Sequence, residues 1–234
     1  VGPGDDLAAL HQQAAARCSI SLRDGILAVC QKIVSKAEGR IVPLAEVKPS
    51  PKALSIAKED GKDPRQVELV LREARRIVRR GHGVLIAETH HGFVCANAGV
   101  DLSNAPGPEV AVLLPEDPDA SARRLRADEI GVGAGPVAVI ATATFGRPCR
   151  EGLGDDAMGW SGIGPIQDLR GTPDLMGREL AVCTPATADQ RAAAAGLLMR
   201  KSSGVPSVWI EGVPLEGDGP LRGVLRDPGM DLFR

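Results

Sequence analysis

The period of the apolar positions changes several times along the chain. After Asp5-Asp6, either of which suits a helix cap, Leu7, Leu10 and Ala14 recur at helical spacing. Ile26 to Val34 is a dense, β-branched run that predicts a strand, followed by a polar turn from Ser35 to Arg40. Pro43 to Pro51 reads as an irregular connection. The strongest helix prediction starts at Asp63-Pro64. Asp63 and Gln66 have capping-box spacing, Pro64 takes the first helical position, and Val67, Val70, Leu71, Ala74, Ile77 and Val78 form one stripe. Arg72, Arg75, Arg76, Arg79 and Arg80 fall mostly off that stripe and read as a solvated helix face.

Further on, Val84–Ala87 and Gly92–Ala96 predict short strands, Pro118–Ala127 a helix and Val137–Thr142 a strand. Gly146 to Asp174 is glycine-rich, charged and with little periodicity, so it reads as a long loop that is either functional or disordered. Thr187 and Gln190 repeat the capping-box spacing before an alanine-rich helix reaching about Lys201, and Ser207–Ile210 predicts a last strand. Strands and helices mixed without a repeating unit argue for an α+β fold. No break in composition marks an internal boundary, so residues 1–234 read as a single domain.

Composition narrows the picture further. With 43% apolar and 25% charged residues, the chain can bury an ordinary core without disulfides or a structural metal. Only 2% of residues are aromatic, so that core is aliphatic and alanine-rich. A net charge of −2 provides no field that attracts nucleic acid or an acidic membrane. Cys18, Cys30, Cys95, Cys149 and Cys183 lack metal-site spacing and read as free, mostly buried thiols of a reducing cytoplasm. Neither a signal peptide nor a membrane-length apolar run is visible, so the expected location is cytoplasmic.

Familiar phosphate-binding signatures, a glycine loop ending in Gly-Lys-Ser/Thr or a dinucleotide fingerprint, are missing from the sequence. The densest polar cluster is Asn97 to Asn104. Asp101 offers a hard oxygen for magnesium or manganese and Asn104 sits three residues on, although any turn uses these residue types. In the second cluster, Thr142 to Gly152, two threonines end a strand and Arg147 and Arg150 follow. Guanidinium forks match phosphate or carboxylate oxygens, and a plain surface loop is the competing reading. Lys36 is a candidate point charge for a phosphate. His90 and His91 are adjacent, which puts them on opposite faces of a strand and argues for a structural role for at least one. Cys149 has no evident base partner and is not read as a nucleophile.

Long motifs make the chain resemble the coenzyme F420-0:L-glutamate ligase family, in its single-domain form. They are Gln31–Arg40, Gly92–Asp101, Leu114–Leu125, Thr144–Pro148, Asp168–Thr172 and Asp231–Arg234, spread over nearly the whole chain. The resemblance implies a family-specific α+β ligase fold with mixed sheets, assembled as an intertwined homodimer. It implies GTP-dependent joining of L-glutamate to the carboxylate of a deazaflavin precursor through an acyl phosphate, with further γ-linked glutamates as an extension. GTP is then a co-substrate and Mg2+ or Mn2+ the cofactor, with K+ as a further candidate ion. By position, Asp101 and Thr144 would hold divalent metal, and Gln31, Lys36 and Asn104 would contact the nucleotide. The loop Lys201–Gly204 would close over it.

The chain departs from the family pattern at three places. Ala143 stands where the family has an aspartate ligand, Gly152-Leu153-Gly154-Asp155 replaces Gly-Gln-Thr-Asp, and the family's N-terminal Gly-Leu-Pro nucleotide motif is not in this sequence, either because it precedes Val1 or because it is lost. If the chain is active, Glu151, Asp155 and Asp156 are the nearest carboxylates that could replace the missing one. Two functions stay open: a working ligase, on the deazaflavin precursor or another substrate, or a catalytically impaired or substrate-switched homologue that binds nucleotide or deazaflavin without ligating glutamate.

Overall fold

The computed structural model describes residues 1–217 and 219–231, so Leu232, Phe233 and Arg234 of the closing motif lie outside the described residues. In chain order the helices are α1 (Leu7–Arg17), α2 (Gln31–Ala37), α3 (Pro51–Asp60), α4 (Pro64–Glu73), α5 (Pro118–Gly131) and α6 (Thr187–Gly196). The strands are β1 (Gly25–Cys30), β2 (Ile41–Pro43), β3 (Ala74–Gly81), β4 (Val84–Thr89), β5 (Val94–Ala96), β6 (Val110–Val112), β7 (Val137–Arg147), β8 (Arg150–Ser161) and β9 (Ser207–Ile210). The fold is α+β with mixed sheets.

The chain forms two compact units, each built from separate stretches of sequence. The first contains residues 1–6, 31–117 and 145–153. Its sheets are β2–β6 and β3–β4–β5, both antiparallel. Leu44, Ala53, Ile56, Val67, Val70, Leu85, Ala87, Val100 and Leu113 form its core, and the helices α3 and α4 supply the middle of it. The second unit contains residues 7–30, 118–144 and 154–234. It is organised by a sheet of order β8-β7-β1-β9, in which β1 runs parallel to β7 and antiparallel to β9. β1 and β7 are apolar on both faces: Ile26, Leu27, Ala28, Val29 and Val137 to Ala141 are all buried. That is the pattern of central strands covered by helices.

Several elements differ from the sequence reading, each for a local reason. The strand starting near Ile26 stops at Cys30, and Gln31–Ala37 is helix α2, so Lys36 lies in a last helical turn and not in a loop. The connection from Pro43 to Pro51 is irregular as read, apart from one 3-10 turn at Leu44–Glu46, and it leads into a helix the sequence reading did not predict, α3, with Pro51 in its first turn and the Ser50 hydroxyl accepting from Ala53 N. Helix α4 starts as expected, with Asp63 as cap, but ends at Glu73, and the arginines beyond it lie on strand β3. β3 turns into β4 through His82 and Gly83, both at positive φ (50° and 70°), the conformation that suits a tight hairpin. Of the stretch from Gly146 to Asp174 read as a loop, Arg150–Ser161 is strand β8, joined to β7 by the two-residue turn Pro148–Cys149, and the rest beyond Ser161 is irregular. α6 ends at Gly196, and Thr187 is not its cap; its hydroxyl donates to the carbonyls of Gly164 and Pro165 instead. All five cysteines are free, and Cys18 and Cys149 are exposed where buried thiols were expected.

Among the described residues no helix is long and apolar enough to cross a membrane.

Candidate functional site

Because β1 passes straight into α2, the first turns of that helix leave the end of a buried strand. Lys32 and Lys36 are four residues apart and share one face. Both reach the segment Asp101–Asn104. Lys32 Nζ lies 2.7 Å from Asp101 Oδ2 and donates to the carbonyl and the hydroxyl of Ser103 at 2.8 and 2.6 Å. Lys36 Nζ donates to the Asn104 carbonyl at 2.5 Å. The segment is also fixed at its base, where Asp101 and Val112 exchange backbone hydrogen bonds of 3.1 and 2.9 Å. Ser103 N closes the turn onto Asp101 Oδ1 at 2.7 Å.

The two lysines have different work. An ammonium has three N–H groups. Lys32 spends all three on Asp101 and Ser103, which makes it a clamp. Among the described residues Lys36 spends one, which leaves two. Burial pushes the Asp101 carboxyl up, but the Lys32 bond, the Ser103 bonds and the Lys32 charge outweigh it and hold it at about 2. Asp101 is therefore ionised at neutral pH. One carboxylate beside two ammonium groups leaves this turn with an excess positive charge, which favours an anion such as phosphate.

Upstream, Asn97, Ala98 and Gly99 all have positive φ (52°, 50° and 73°), and this tight turn aims the chain at Asp101. Only glycine fits its third position, since an added Cβ would sit 2.6 Å from the Leu114 side chain. Lys62 Nζ holds the turn through Asn97 Oδ1 at 3.0 Å. Gln31 is buried, and its amide donates to Ser35 Oγ at 2.6 Å and to the Leu113 carbonyl at 3.1 Å.

In the second unit, Thr144 is exposed on β7, and its hydroxyl donates to Asp155 Oδ1 on the neighbouring β8 at 2.6 Å. The other Asp155 oxygen lies where a Cβ on Gly196 would collide with it, so the carboxylate keeps this position only while the last turn of α6 is bare there. The segment Lys201–Gly204 connects α6 to β9. Within it, the Ser203 hydroxyl donates to the carbonyls of Leu198 and Arg200.

Asp101, Asn104, Lys36 and Gln31 thus belong to the first unit and Thr144 to the second. Lys32 was missed. Its signal was present as a lysine pair at (i, i+4), but reading residues 31–34 as strand put the two side chains out of reach of each other. Three of the other candidates, His90, His91 and Arg147, have structural partners. His90 Nε2 donates to the Arg72 carbonyl, and His91 Nε2 to that of Pro115 at 2.8 Å; both histidines lie in a turn. Arg147 donates to the Glu151 carbonyl at the hairpin tip. Among the described residues no cluster of three or more His, Cys, Asp or Glu is placed to hold a metal ion. The donors at the candidate positions, the Asp101 carboxylate and the Thr144 hydroxyl, are hard oxygens, the type that magnesium and manganese take.

A family model described as F420-0:gamma-glutamyl ligase matches residues 1–212. The chain is 47% identical to the coenzyme F420:L-glutamate ligase of Methanothermobacter thermautotrophicus, over 100% of this chain and 94% of that protein. It is 46% identical to the protein of the same name from Methanopyrus kandleri, over 100% and 93%. With that of Archaeoglobus fulgidus the identity is 39%, over 99% and 91%.

Proposed function

The chain belongs to the F420-0:gamma-glutamyl ligase family, and from that premise we propose that it joins L-glutamate to the carboxylate of coenzyme F420-0 with GTP as the energy source. The observation that carries this reading is the Asp101–Asn104 turn, which offers an ionised hard oxygen, two free N–H groups on Lys36 and an excess positive charge. The substrate carboxylate oxygen takes the γ-phosphoryl group of GTP and GDP leaves. The glutamate amine then attacks the acyl carbon, inorganic phosphate departs with the C–O electron pair, and the amine proton is released. Activation is necessary because a carboxylate is a poor electrophile until its oxygen becomes a good leaving group. Positioning and charge stabilisation do most of the work in such transfers.

Lys36 binds phosphate oxygens, Asp101 holds a divalent ion, and Lys32 keeps the Asp101 carboxylate in place. Thr144 and Asp155 form a second oxygen pair able to hold an ion. Asp155 supplies a carboxylate beside Thr144 where Ala143 has none. A bound Mg2+ or Mn2+ neutralises the charge of the triphosphate. We propose GTP as co-substrate, a cytoplasmic location and a homodimeric assembly.

Ala143 supports a second reading, a homologue that binds nucleotide or deazaflavin without ligating. Incubation with GTP, Mn2+, L-glutamate and coenzyme F420-0, followed by mass spectrometry, separates the two. The ligase gives a product heavier by one glutamyl residue. Nucleotide binding without that product establishes the second reading.

A further inference from the structure

Away from the turn of Asp101, the second unit brings a carboxylate, an imidazole and a hydroxyl into one line. Glu129 on α5 is fully buried (0% exposed), with Oε1 2.6 Å from His11 Nδ1 on α1. His11 Nε2 lies 2.9 Å from Ser207 Oγ, the first residue of β9. Both ring nitrogens of a buried histidine are thus engaged, one by an acid and one by an alcohol. The sequence motifs include none of the three residues.

We propose that Ser207, His11 and Glu129 form an acyl-transfer site directed at carboxylic esters, with Ser207 as nucleophile. With Glu129 Oε1 as the acceptor of the 2.6 Å bond, the ring proton stands on Nδ1. The Nε2 lone pair is left to accept from the Ser207 hydroxyl. Nucleophile, base and orienting acid then stand in the order that activates a serine.

Strand geometry adds an electrophilic element. The Pro206 carbonyl accepts from Cys30 N at 2.8 Å. In an antiparallel pair the hydrogen-bonded positions alternate, so Pro206, Val208 and Ile210 turn their backbone groups toward β1. Ser207 and Trp209 turn theirs to the outer edge, because β9 is the last strand of its sheet. The backbone N–H of Ser207 therefore stands beside its own hydroxyl, where it can donate to a developing oxyanion.

In the first half-reaction Ser207 Oγ bonds to the ester carbonyl carbon as its proton passes to His11 Nε2. The ester C–O bond breaks, and the alcohol leaves with that proton. Water repeats the sequence on the acyl-serine, releasing the acid and restoring Ser207. One ester and one water give one acid and one alcohol.

The test treats the purified full chain with a fluorophosphonate probe, without GTP or metal, and maps adducts by mass spectrometry. The expected result is an adduct on Ser207 that is absent in Ser207→Ala and forms about 100-fold more slowly in His11→Gln, the size of a general-base contribution. Hydrolysis of p-nitrophenyl acetate should fall in parallel. An unmodified Ser207 in wild-type protein of native circular dichroism overturns the proposal. So does a folded His11→Gln variant labelled at the wild-type rate. Neither result depends on the ligase reading, since nucleotide and metal are left out.

Discussion

Asp101 and Lys32 illustrate how neighbouring groups set the charge of a partly buried side chain. Burial alone would raise the Asp101 carboxyl, and the clamp from Lys32 and Ser103 reverses that sign. With its folded value at about 2, below the ordinary 3.9 or so of an unfolded chain, Asp101 contributes stability that is present above about pH 4 and lost as pH falls toward 2. Lys32→Met removes the strongest counterweight to burial, so the Asp101 carboxyl should titrate higher, which an NMR titration of the side-chain carbon reads directly. An unchanged titration would show that Ser103 alone holds it. Asp101→Ala should abolish metal-dependent GTP turnover with the fold retained, because the backbone bridge to Val112 does not involve the side chain. Full turnover in the folded variant would remove Asp101 from the site.

At the scale of elements, the strands β7 and β8 and the end of α6 hold a second oxygen pair in place. A methyl group on Gly196 would displace the Asp155 carboxylate, which is the far end of a flexible side chain. Gly196→Ala should therefore leave the melting temperature nearly unchanged while weakening manganese binding by about tenfold, as loss of a positioning contact does. Calorimetry with a non-hydrolysable GTP analogue checks this. The same titration on Ala143→Asp should show tighter manganese binding, since an anionic oxygen is added next to Thr144. No gain there would mean that Asp155 already fills the role or that the ion sits elsewhere. The arginine segment gives a different lesson about elements. Bulges between Ala74 and Arg76 and between Ile77 and Arg79 break the two-residue period of β3, so its strand pattern is hidden in the sequence. What stabilises it as a strand is pairing with β4 and the ion pairs of Arg75 and Arg76 with Glu88 and of Arg80 with Glu59 and Asp60.

On the scale of the whole molecule, residues 167–185 of the second unit form an extended excursion. Its two sides are joined by backbone bonds from Gln167 to Pro185, Leu169 to Cys183 and Gly171 to Leu180. It exposes Leu175, Met176 and Val182, apolar surface of the kind a second copy would cover. The protein is expected to be a homodimer at micromolar concentration, and light scattering over that range checks it. A monomeric mass throughout would count against the assembly.

The sequence by itself determined the α+β class, the cap at Asp63, the strands around Leu27, Val139 and Val208, and the family, because each rests on local spacing or on contiguous motifs. It also marked Asp101, Lys36 and Thr144, which stand in such motifs, and Asn104, which stands just beyond one in the same polar cluster. Only the tertiary structure decided that Gln31–Ala37 is a helix, that Arg75–Arg80 is a strand, and that Lys32 clamps Asp101 from 69 positions away. It alone paired Thr144 with Asp155 and lined up Glu129, His11 and Ser207. The physical reason is common to all of these. A short apolar run satisfies helix or strand periodicity equally well until its partners are known. The meaning of a charge or a hydroxyl depends on which distant group accepts or donates to it, and local spacing carries no record of that.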